Sequence, residues 1–278
     1  MQELTQKDLE RFLTATTGTS QAFEMFENIG SYGSKESLFA NLKNKLQVCM
    51  QYLDTDMDAL IEGVKEYNAK KPDQNFEEVN KVFYQDKLHP IISTIFYAIA
   101  EPFLLRSTVK KEILYLAFKL EKIKKMFIGG AGCGEIIDNL SKLLIKVPDD
   151  LFIKGVDISQ PGIEFLNHRS KDFKFKTQFE KADLDHYQMD DNYDLSELSE
   201  VLEHVRDPQA LLTKVGKASK LTFVTIPVML NVAEHLHLFD LKKIIQMIQA
   251  ADLDLVYYSV RNSFYVKQQF FFGLLRQI

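Results

Sequence analysis

The sequence predicts an α/β fold in which a mostly parallel sheet, flanked by helices, follows an all-helical N-terminal region. From residue 125 onwards, short apolar runs alternate with segments of helical periodicity, an order typical of a parallel sheet with helices on both faces. Before residue 125, apolar residues recur at intervals of three and four, which indicates one helix after another. The last two apolar runs are separated only by Arg261, Asn262 and Ser263, so we expect a hairpin whose final strand runs antiparallel.

Residues 1–122 are expected to form the helical region. Its periodicity is clearest in two sets of apolar residues, which are Leu38, Leu42, Leu46, Cys49 and Leu53, and then Met57, Leu60, Ile61, Val64 and Tyr67. A helical region beside a ligand-binding sheet could cover the substrate pocket as a lid, form a homodimer interface, or do both.

The most apolar segment of the chain is His89–Leu105, which Glu101 and Pro102 interrupt. It falls short of the roughly 20 apolar residues that a membrane span needs, so we expect a buried core helix there. The charged N-terminus has no apolar segment of a secretory signal. Two cysteines are too few for a disulfide framework, and together these features favour a cytoplasmic protein with reduced thiols.

The charge balance argues against one class of partner. The chain has 34 Lys and Arg against 39 Asp and Glu, a formal net charge of −5. Nucleic-acid-binding proteins usually present a basic face, so we expect no nucleic-acid partner. With 46% of its residues hydrophobic, the chain can bury a sizeable core.

The second region, residues 123–278, is expected to supply the sheet. Its predicted strands are Lys125–Ile128, Leu151–Asp157, Phe173–Phe179, Tyr193–Ser199, Lys220–Ile226, Leu253–Val260 and Phe264–Phe272. Helical patterns lie between most of them, at Gly134–Leu144, Gly162–Ser170, Pro208–Ala218 and Asp240–Ala251.

A compact glycine turn follows the first predicted strand. Met126–Ile137 reads MFIGGAGCGEII and holds four of the chain's twelve glycines. Residues without a Cβ let the backbone approach a ligand closely, and the start of the next helix offers unpaired N–H groups. In an open α/β sheet, ligands bind beside such a turn, at the carboxyl ends of the strands. The turn therefore predicts a ligand site, although a glycine-rich turn alone does not identify the ligand.

Asp157 ends the second predicted strand, 23 residues after Gly134. An acid at this position can accept hydrogen bonds from two ribose hydroxyls. The alternative is that Asp157 caps the helix that begins near Pro161. The occurrence of turn and acid together favours an adenosine-containing ligand.

Two common nucleotide motifs are absent from the sequence. A dinucleotide-binding G-x-G-x-x-G that starts at Gly130 would need a small residue at position 135, where the chain has Glu135. No G-x-x-x-x-G-K-[ST] occurs, which excludes a P-loop. The tight G-x-G-x-G form suits a ligand that has no pyrophosphate.

Five segments together resemble the class I S-adenosylmethionine-dependent methyltransferases. Phe127–Gly134 resembles the first motif of that family, whose turn faces the methionine part of the cofactor, and Val156–Ile158 resembles the second, which holds the ribose. Ala182–Asp185 is similar to the third motif, where an Asp meets the adenine amino group. Tyr193–Pro208, which contains VLEHVRDP, resembles the strand-four motif of the small-molecule branch, and Glu234–Phe239 its late motif.

The resemblance implies a Rossmann-like seven-stranded sheet, a methyltransferase domain over residues 123–278 and S-adenosyl-L-methionine as the cofactor. It also implies a set of cofactor-binding residues, which are Gly130, Ala131, Gly132, Gly134, Asp157, Ile158, Asp183, Leu184 and Ser199.

Two positions depart from the family's pattern. The family usually has an acid two residues before the first glycine of its G-x-G-x-G, where this chain has Ile128. The methionine ammonium group would then lose an acidic neighbour. Strand four is usually an unbroken apolar run, but here Ser196 and Glu197 interrupt it. Glu197 could be a core polar group with a partner in the N-terminal half, or it could reach the site.

The candidate catalytic residues are His204 and His237. His204 follows strand four, and histidine can take a proton from a hydroxyl near neutral pH; the alternative is that it holds the loop after the strand. His235 and His237 alternate, so that one of them could face the pocket. With Glu234 or Asp240 they have the residue types of a metal site, but no cysteine or carboxylate cluster supports one, and we expect no metal.

The sequence therefore predicts methyl transfer from S-adenosylmethionine to an oxygen or nitrogen atom of a small-molecule acceptor, with oxygen favoured if His204 is a base. One alternative is a non-catalytic cofactor-binding subunit, which Ile128 and Glu197 suggest. Another is the transfer of a different group from the same cofactor. Methylation of RNA or protein is disfavoured by the acidic composition. The acceptor itself depends on pocket shape, which the sequence does not specify.

Overall fold

The computed structural model describes residues 4–17, 35–70, 84–100, 105–230, 235–262 and 269–278. In the N-terminal half, the helices among these residues are α1 (Gln6–Thr17), α2 (Lys35–Leu53), α3 (Met57–Ala69), α4 (His89–Ala100) and α5 (Leu105–Leu120). The helical character predicted for this half is confirmed.

Helices α1 to α4 share a hydrophobic core of their own. Leu42, Leu46 and Cys49 on α2 are fully buried, as is Val64 on α3, which confirms the periodicity found in the sequence. Asp56 starts α3, because its side chain accepts a hydrogen bond from the backbone N–H of Ala59 at 2.9 Å. Cys133 and Phe165 from the second half belong to the same cluster. The helical region therefore packs directly against the elements that carry the glycine turn.

The second half forms the predicted seven-stranded sheet. Its strands are β1 (Lys125–Gly129), β2 (Phe152–Asp157), β3 (Lys176–Lys181), β4 (Tyr193–Ser199), β5 (Ser219–Val228), β6 (Leu253–Asn262) and β7 (Gln269–Gln277). Their order is β3-β2-β1-β4-β5-β7-β6, and β7 runs antiparallel to both of its neighbours. The fold class, including the antiparallel last strand, is confirmed.

Strand β6 extends further along the chain than predicted. Arg261 and Asn262, which were expected in the link, continue β6 and pair with Phe270 and Gln269. Among the described residues β7 begins at Gln269, so its predicted start at Phe264 is not tested. Residues 263–268 lie outside the described residues.

Four helices follow strands of the sheet, and they are α6 (Glu135–Ser141), α7 (Gln160–Arg169), α8 (Pro208–Lys217) and α9 (Leu241–Ala250). Three of them begin with a side-chain cap: Ser159 for α7, Asp207 for α8 and Asp240 for α9. The N-cap residue of α6 is Gly134, which has no side chain to cap the helix.

The sheet is covered on both faces. Val109, Ile113 and Ala117 of α5 join one buried cluster with side chains of α6 and α7, whereas α8 and α9 supply the cluster on the other face. Helix α5 therefore packs on the sheet although it lies before residue 122, and the division at 122 remains a prediction. Within the described residues, no helix combines the length and the apolar character that crossing a bilayer requires.

Candidate functional site

A cavity of about 530 Å³ lies at the carboxyl ends of β1, β2 and β4. This volume is within the range of small-molecule sites, about 300–1,000 Å³. Part of its wall is the glycine turn, and another part is the segment that follows β4. The N-terminal half contributes Tyr84, His89, Ser93, Tyr97 and Lys110. The cavity is therefore built from both halves of the chain.

The glycine turn has positive φ angles, a backbone conformation that is strained for residues with a side chain. Gly130 and Gly132 have φ angles of +71° and +52°. A Cβ on Gly130 would lie 2.4 Å from a methyl carbon of Val201, so packing alone requires glycine there. A Cβ on Gly132 would meet no atom closer than the Gly130 carbonyl oxygen at 3.9 Å. Both glycines line the cavity, and Gly132 leaves space at its wall that a larger residue would fill.

Asp157 braces this turn from the end of β2. One carboxylate oxygen accepts a hydrogen bond from the N–H of Gly132 at 2.7 Å, and the other accepts one from the N–H of Ser159 at 2.8 Å. Burial raises the pKa of Asp157, and these backbone N–H groups oppose the shift. The cap of α7 is Ser159, whose hydroxyl accepts from the N–H of Gly162. The geometry thus differs from the alternative in which Asp157 caps that helix.

Most of the predicted cofactor-binding residues line the cavity. They are Gly130, Ala131, Gly132, Asp157, Ile158, Asp183, Leu184 and Ser199. Asp183 accepts hydrogen bonds from the backbone N–H of Asp185 and is 3.0 Å from Nδ1 of His186, yet its side chain is 45% exposed. Leu184 is buried, and the Ser199 hydroxyl donates to Thr225 Oγ1 at 3.2 Å.

Gly134 lies outside the cavity lining. Its φ is +87°, and a Cβ there would lie 2.8 Å from a methyl carbon of Leu166. It lets α6 start close against α7. The role of Gly134 in cofactor binding stays a prediction, and the packing gives it a structural reason that the sequence did not reveal.

Near Ile128 the cavity is lined by a group of charged side chains, Lys110, Glu135 and Glu197, whose proximity the sequence did not predict. Glu197 on β4 is buried, and burial raises its pKa to about 7, although the Lys110 ammonium opposes the shift. Lys110 comes from α5 and forms an ion pair of 2.9 Å with Glu135 on α6. All three residues line the cavity, as does Ile128. The sequence left open whether Glu197 has a partner in the N-terminal half or reaches the site. It does both, since it lines the cavity and interacts with the Lys110 ammonium.

His204 and His235 meet at the opposite wall of the cavity. Their rings are 4.9 Å apart, edge to face, and His204 Nε2 lies 3.9 Å from a carboxylate oxygen of the buried Glu203. One donor atom from each of these three residues lies within 4.8 Å of the other two. The backbone carbonyl of Glu203 also accepts hydrogen bonds from the N–H groups of Leu236 and His237. The segments after β4 and β5 are thereby joined.

His237 lies outside the cavity lining. Its Nε2 is 2.9 Å from the carbonyl oxygen of Val205 and 3.2 Å from that of Arg206. Of the alternating pair, His235 is the residue that lines the cavity, and the catalytic role predicted for His237 is not tested.

His89 is a cavity residue that the sequence analysis did not select. It begins α4, its ring packs against Tyr84, and its Nδ1 shares a hydrogen bond of 2.8 Å with the Tyr67 hydroxyl. Burial lowers its pKa to about 4, so the ring is neutral at physiological pH. The only sequence signal was its position at the start of the most apolar segment.

Comparison with known proteins shows what the residues around this site are similar to. Residues 129–220, which run from the glycine turn to the start of β5, match the family model described as a methyltransferase domain. This segment of the chain is therefore similar to a methyltransferase domain. Curated proteins gave no significant match to the sequence.

Solved structures of methyltransferases share the fold of this chain at low sequence identity. Magnesium protoporphyrin IX methyltransferase from Synechocystis PCC 6803 with bound SAH has a TM-score of 0.51 at 9% identity, over 67% of this chain and 87% of that one. An S-adenosylmethionine-dependent methyltransferase from Clostridium acetobutylicum ATCC 824 has a TM-score of 0.50 at 10% identity, over 66% and 97%. The fold and the family match support S-adenosylmethionine as the cofactor.

Proposed function

We propose that the protein transfers the methyl group of S-adenosyl-L-methionine to an oxygen or nitrogen atom of a small-molecule acceptor. One observation carries the proposal: a single cavity connects the braced glycine turn with His204, His235 and side chains of the N-terminal half. The turn and Asp157 would hold the cofactor, and the wall with the two histidines would face the acceptor.

The residues present fit the adenosine and methionine parts of the cofactor. A carboxylate has about four acceptor positions, so Asp157 can accept from Gly132 and Ser159 and still accept from a ribose hydroxyl. The space beside Gly132 lies where the motif places the methionine part. Glu197 supports the same assignment, because it supplies a carboxylate beside Ile128, where the family usually has its acid.

Methyl transfer from a sulfonium requires mainly that the protein position the acceptor next to the methyl group. S-adenosylmethionine supplies a methyl group that is activated by its bond to a sulfonium sulfur. The residues of the chain would align the acceptor with that group and exclude water, which can account for much of the rate. A hydroxyl acceptor must also lose its proton. A side chain of the wall formed by Glu203, His204 and His235 would accept that proton.

The helical region supports a small-molecule acceptor. Tyr84, His89 and Tyr97 line the cavity from the N-terminal half, so the acceptor would be enclosed between helices and sheet. We propose that this region is the substrate-determining cover of the site. Its role in a homodimer remains a prediction from the sequence.

Isothermal titration with S-adenosylmethionine tests the cofactor site. We expect stoichiometric binding by the wild type and at least tenfold weaker binding by Asp157→Asn, since an amide offers fewer acceptor positions. Asp149→Asn is the matched control, because the Asp149 side chain is 86% exposed and lies outside the cavity lining. Absence of binding by folded wild-type protein would overturn the assignment.

Release of S-adenosylhomocysteine with a panel of hydroxyl and amine acceptors then tests methyl transfer. Turnover with any small acceptor supports the proposal. Tight cofactor binding with no release across the panel would favour the non-catalytic alternative, and release of a different cofactor fragment would favour transfer of another group.

A further inference from the structure

We propose that Glu203, His204 and His235 bind a divalent transition-metal ion, and, resting on the proposed function, that this ion holds an oxygen atom of the acceptor. Among the described residues, these three offer two imidazole nitrogens and one carboxylate oxygen within 4.8 Å of one another. Donor atoms on a common ion lie about 3–4 Å apart, because each bond to the metal is about 2.0–2.2 Å long. The 3.9 Å between His204 Nε2 and Glu203 Oε1 already meets this spacing.

A hydrogen bond to the backbone orients the His235 ring for metal binding. Its Nδ1 is 2.9 Å from the carbonyl oxygen of Leu230, which can only accept a hydrogen bond. Nδ1 therefore carries the proton, and Nε2 keeps the lone pair that a metal needs. A hydrogen bond from the second ring nitrogen to a carbonyl is the usual way in which proteins orient a metal-binding histidine.

Backbone contacts hold the cluster together. The N–H groups of Leu236 and His237 donate to the Glu203 carbonyl at 2.8 and 3.2 Å, so His235 is tied to the residue that supplies the carboxylate. Glu203 itself is 1% exposed. A buried carboxylate beside two imidazoles is a nearly assembled ligand set, and small side-chain movements would bring the three donor atoms onto one ion.

The donor set indicates the kind of ion. Two imidazoles and one carboxylate are typical of catalytic Zn²⁺ sites and of Fe²⁺ sites with open coordination positions. Mg²⁺ and Ca²⁺ prefer oxygen ligands throughout. All three residues line the cavity, so the open positions would face the acceptor. An ion there would bind a hydroxyl or carboxylate oxygen of the acceptor and lower the pKa of a bound hydroxyl.

The sequence analysis expected no metal, but it tested a different set of residues as ligands. It joined His235 to His237, two residues apart, whereas the fold joins His235 to Glu203 and His204. These residues come together because β4 and β5 are neighbours in the sheet and both end at the cavity.

Titration of chelator-treated, untagged protein with Zn²⁺ and with Co²⁺ tests the proposal. We expect one ion per chain and visible absorption bands of Co²⁺ bound to nitrogen and oxygen ligands. His204→Ala and His235→Ala should each weaken binding at least tenfold, and Glu203→Gln should do the same without changing side-chain volume. His168→Ala is the matched control, because His168 packs against Tyr52 and lies outside the cavity lining.

Folded wild-type protein that binds no stoichiometric ion would overturn the proposal, as would binding that survives His235→Ala or is lost equally in His168→Ala. Circular dichroism reports whether each variant is folded. S-adenosylmethionine affinity, measured on the same samples, reports separately on the proposed function. Turnover that resists chelation but is lost in His204→Ala would also overturn the metal site, in favour of His204 as a direct base.

Discussion

Ile128 on β1 and Glu197 on β4 occupy the same register of two adjacent parallel strands. Residues paired in this way project to the same face of a sheet, so the Glu197 carboxylate lies beside the Ile128 side chain. Both residues are buried and both line the cavity. The acid that the family usually carries on strand one is therefore matched here by an acid on strand four.

The first prediction concerns the pH dependence of cofactor binding. Because burial raises the pKa of Glu197 to about 7, its carboxyl is largely protonated at pH 6 and ionised at pH 8. The ionised form would attract the cofactor's ammonium group. We expect wild-type affinity to rise about tenfold from pH 6 to pH 8, the equivalent of one charge-assisted hydrogen bond. Isothermal titration of Glu197→Gln should show a nearly flat profile.

The same substitution changes stability with a definite sign. Between pH 4.5 and about 7 the folded protein keeps a proton on Glu197 that the unfolded chain releases, so wild-type stability falls as pH rises through this window. Glu197→Gln lacks this loss and should be the more stable protein at pH 8, with the difference vanishing below pH 4.5. Glu62→Gln, at an exposed position, is the control; equal profiles for the two variants would contradict the prediction.

The second prediction separates the roles of two glycines in the turn. Gly132→Ala places a methyl group in the cavity at a φ of +52°, which costs about 1 kcal/mol of stability. We expect at least tenfold weaker cofactor binding. Gly130→Ala meets Val201 at 2.4 Å and should cost about 1–3 kcal/mol more through overpacking. Urea unfolding and calorimetric titration of both variants provide the measurement, and similar stabilities would contradict this division.

The third prediction concerns the ion pair between Lys110 and Glu135. The Lys110 side chain is 3% exposed, so Lys110→Met would bury two carboxylates without their cation. Breaking one partner of a buried pair typically costs about 3–5 kcal/mol. We expect a loss of that size in urea unfolding, and partial recovery in the double variant Lys110→Met/Glu135→Gln. A double variant as unstable as the single one would argue against the pair as the cause.

The fourth prediction concerns His89. Since burial lowers its pKa to about 4, its ring protons should show no titration in NMR spectra between pH 8 and pH 5.5. The unfolded chain takes up a proton near pH 6.5, so this histidine contributes stability that is lost as pH falls from 6.5 through 4. His89→Gln should weaken that acid-induced loss. A ring that titrates near pH 6.5 in the folded protein would refute the prediction.

The sequence identified those parts of the site that lie close together in the chain. The glycine turn and Asp157 occur within one strand–helix–strand unit, so spacing alone indicated a ligand site there. Lys110 and Glu135 could not be paired from the sequence, since their contact depends on how α5 packs against α6. The sequence also could not show which of His235 and His237 faces the cavity, because alternation alone does not say which of two residues points inward.

Cys133, in the middle of the glycine turn, belongs to the hydrophobic cluster of helices α1 to α4. Lys45 on α2 reinforces the connection through an ion pair of 2.5 Å with Asp138 on α6. A buried side chain and an ion pair therefore hold the turn and α6 against the helices. Because of these contacts, we expect S-adenosylmethionine to raise the melting temperature of the helical region together with that of the sheet. Binding of the cofactor at the turn and of an acceptor against the helices would then be coupled through this contact.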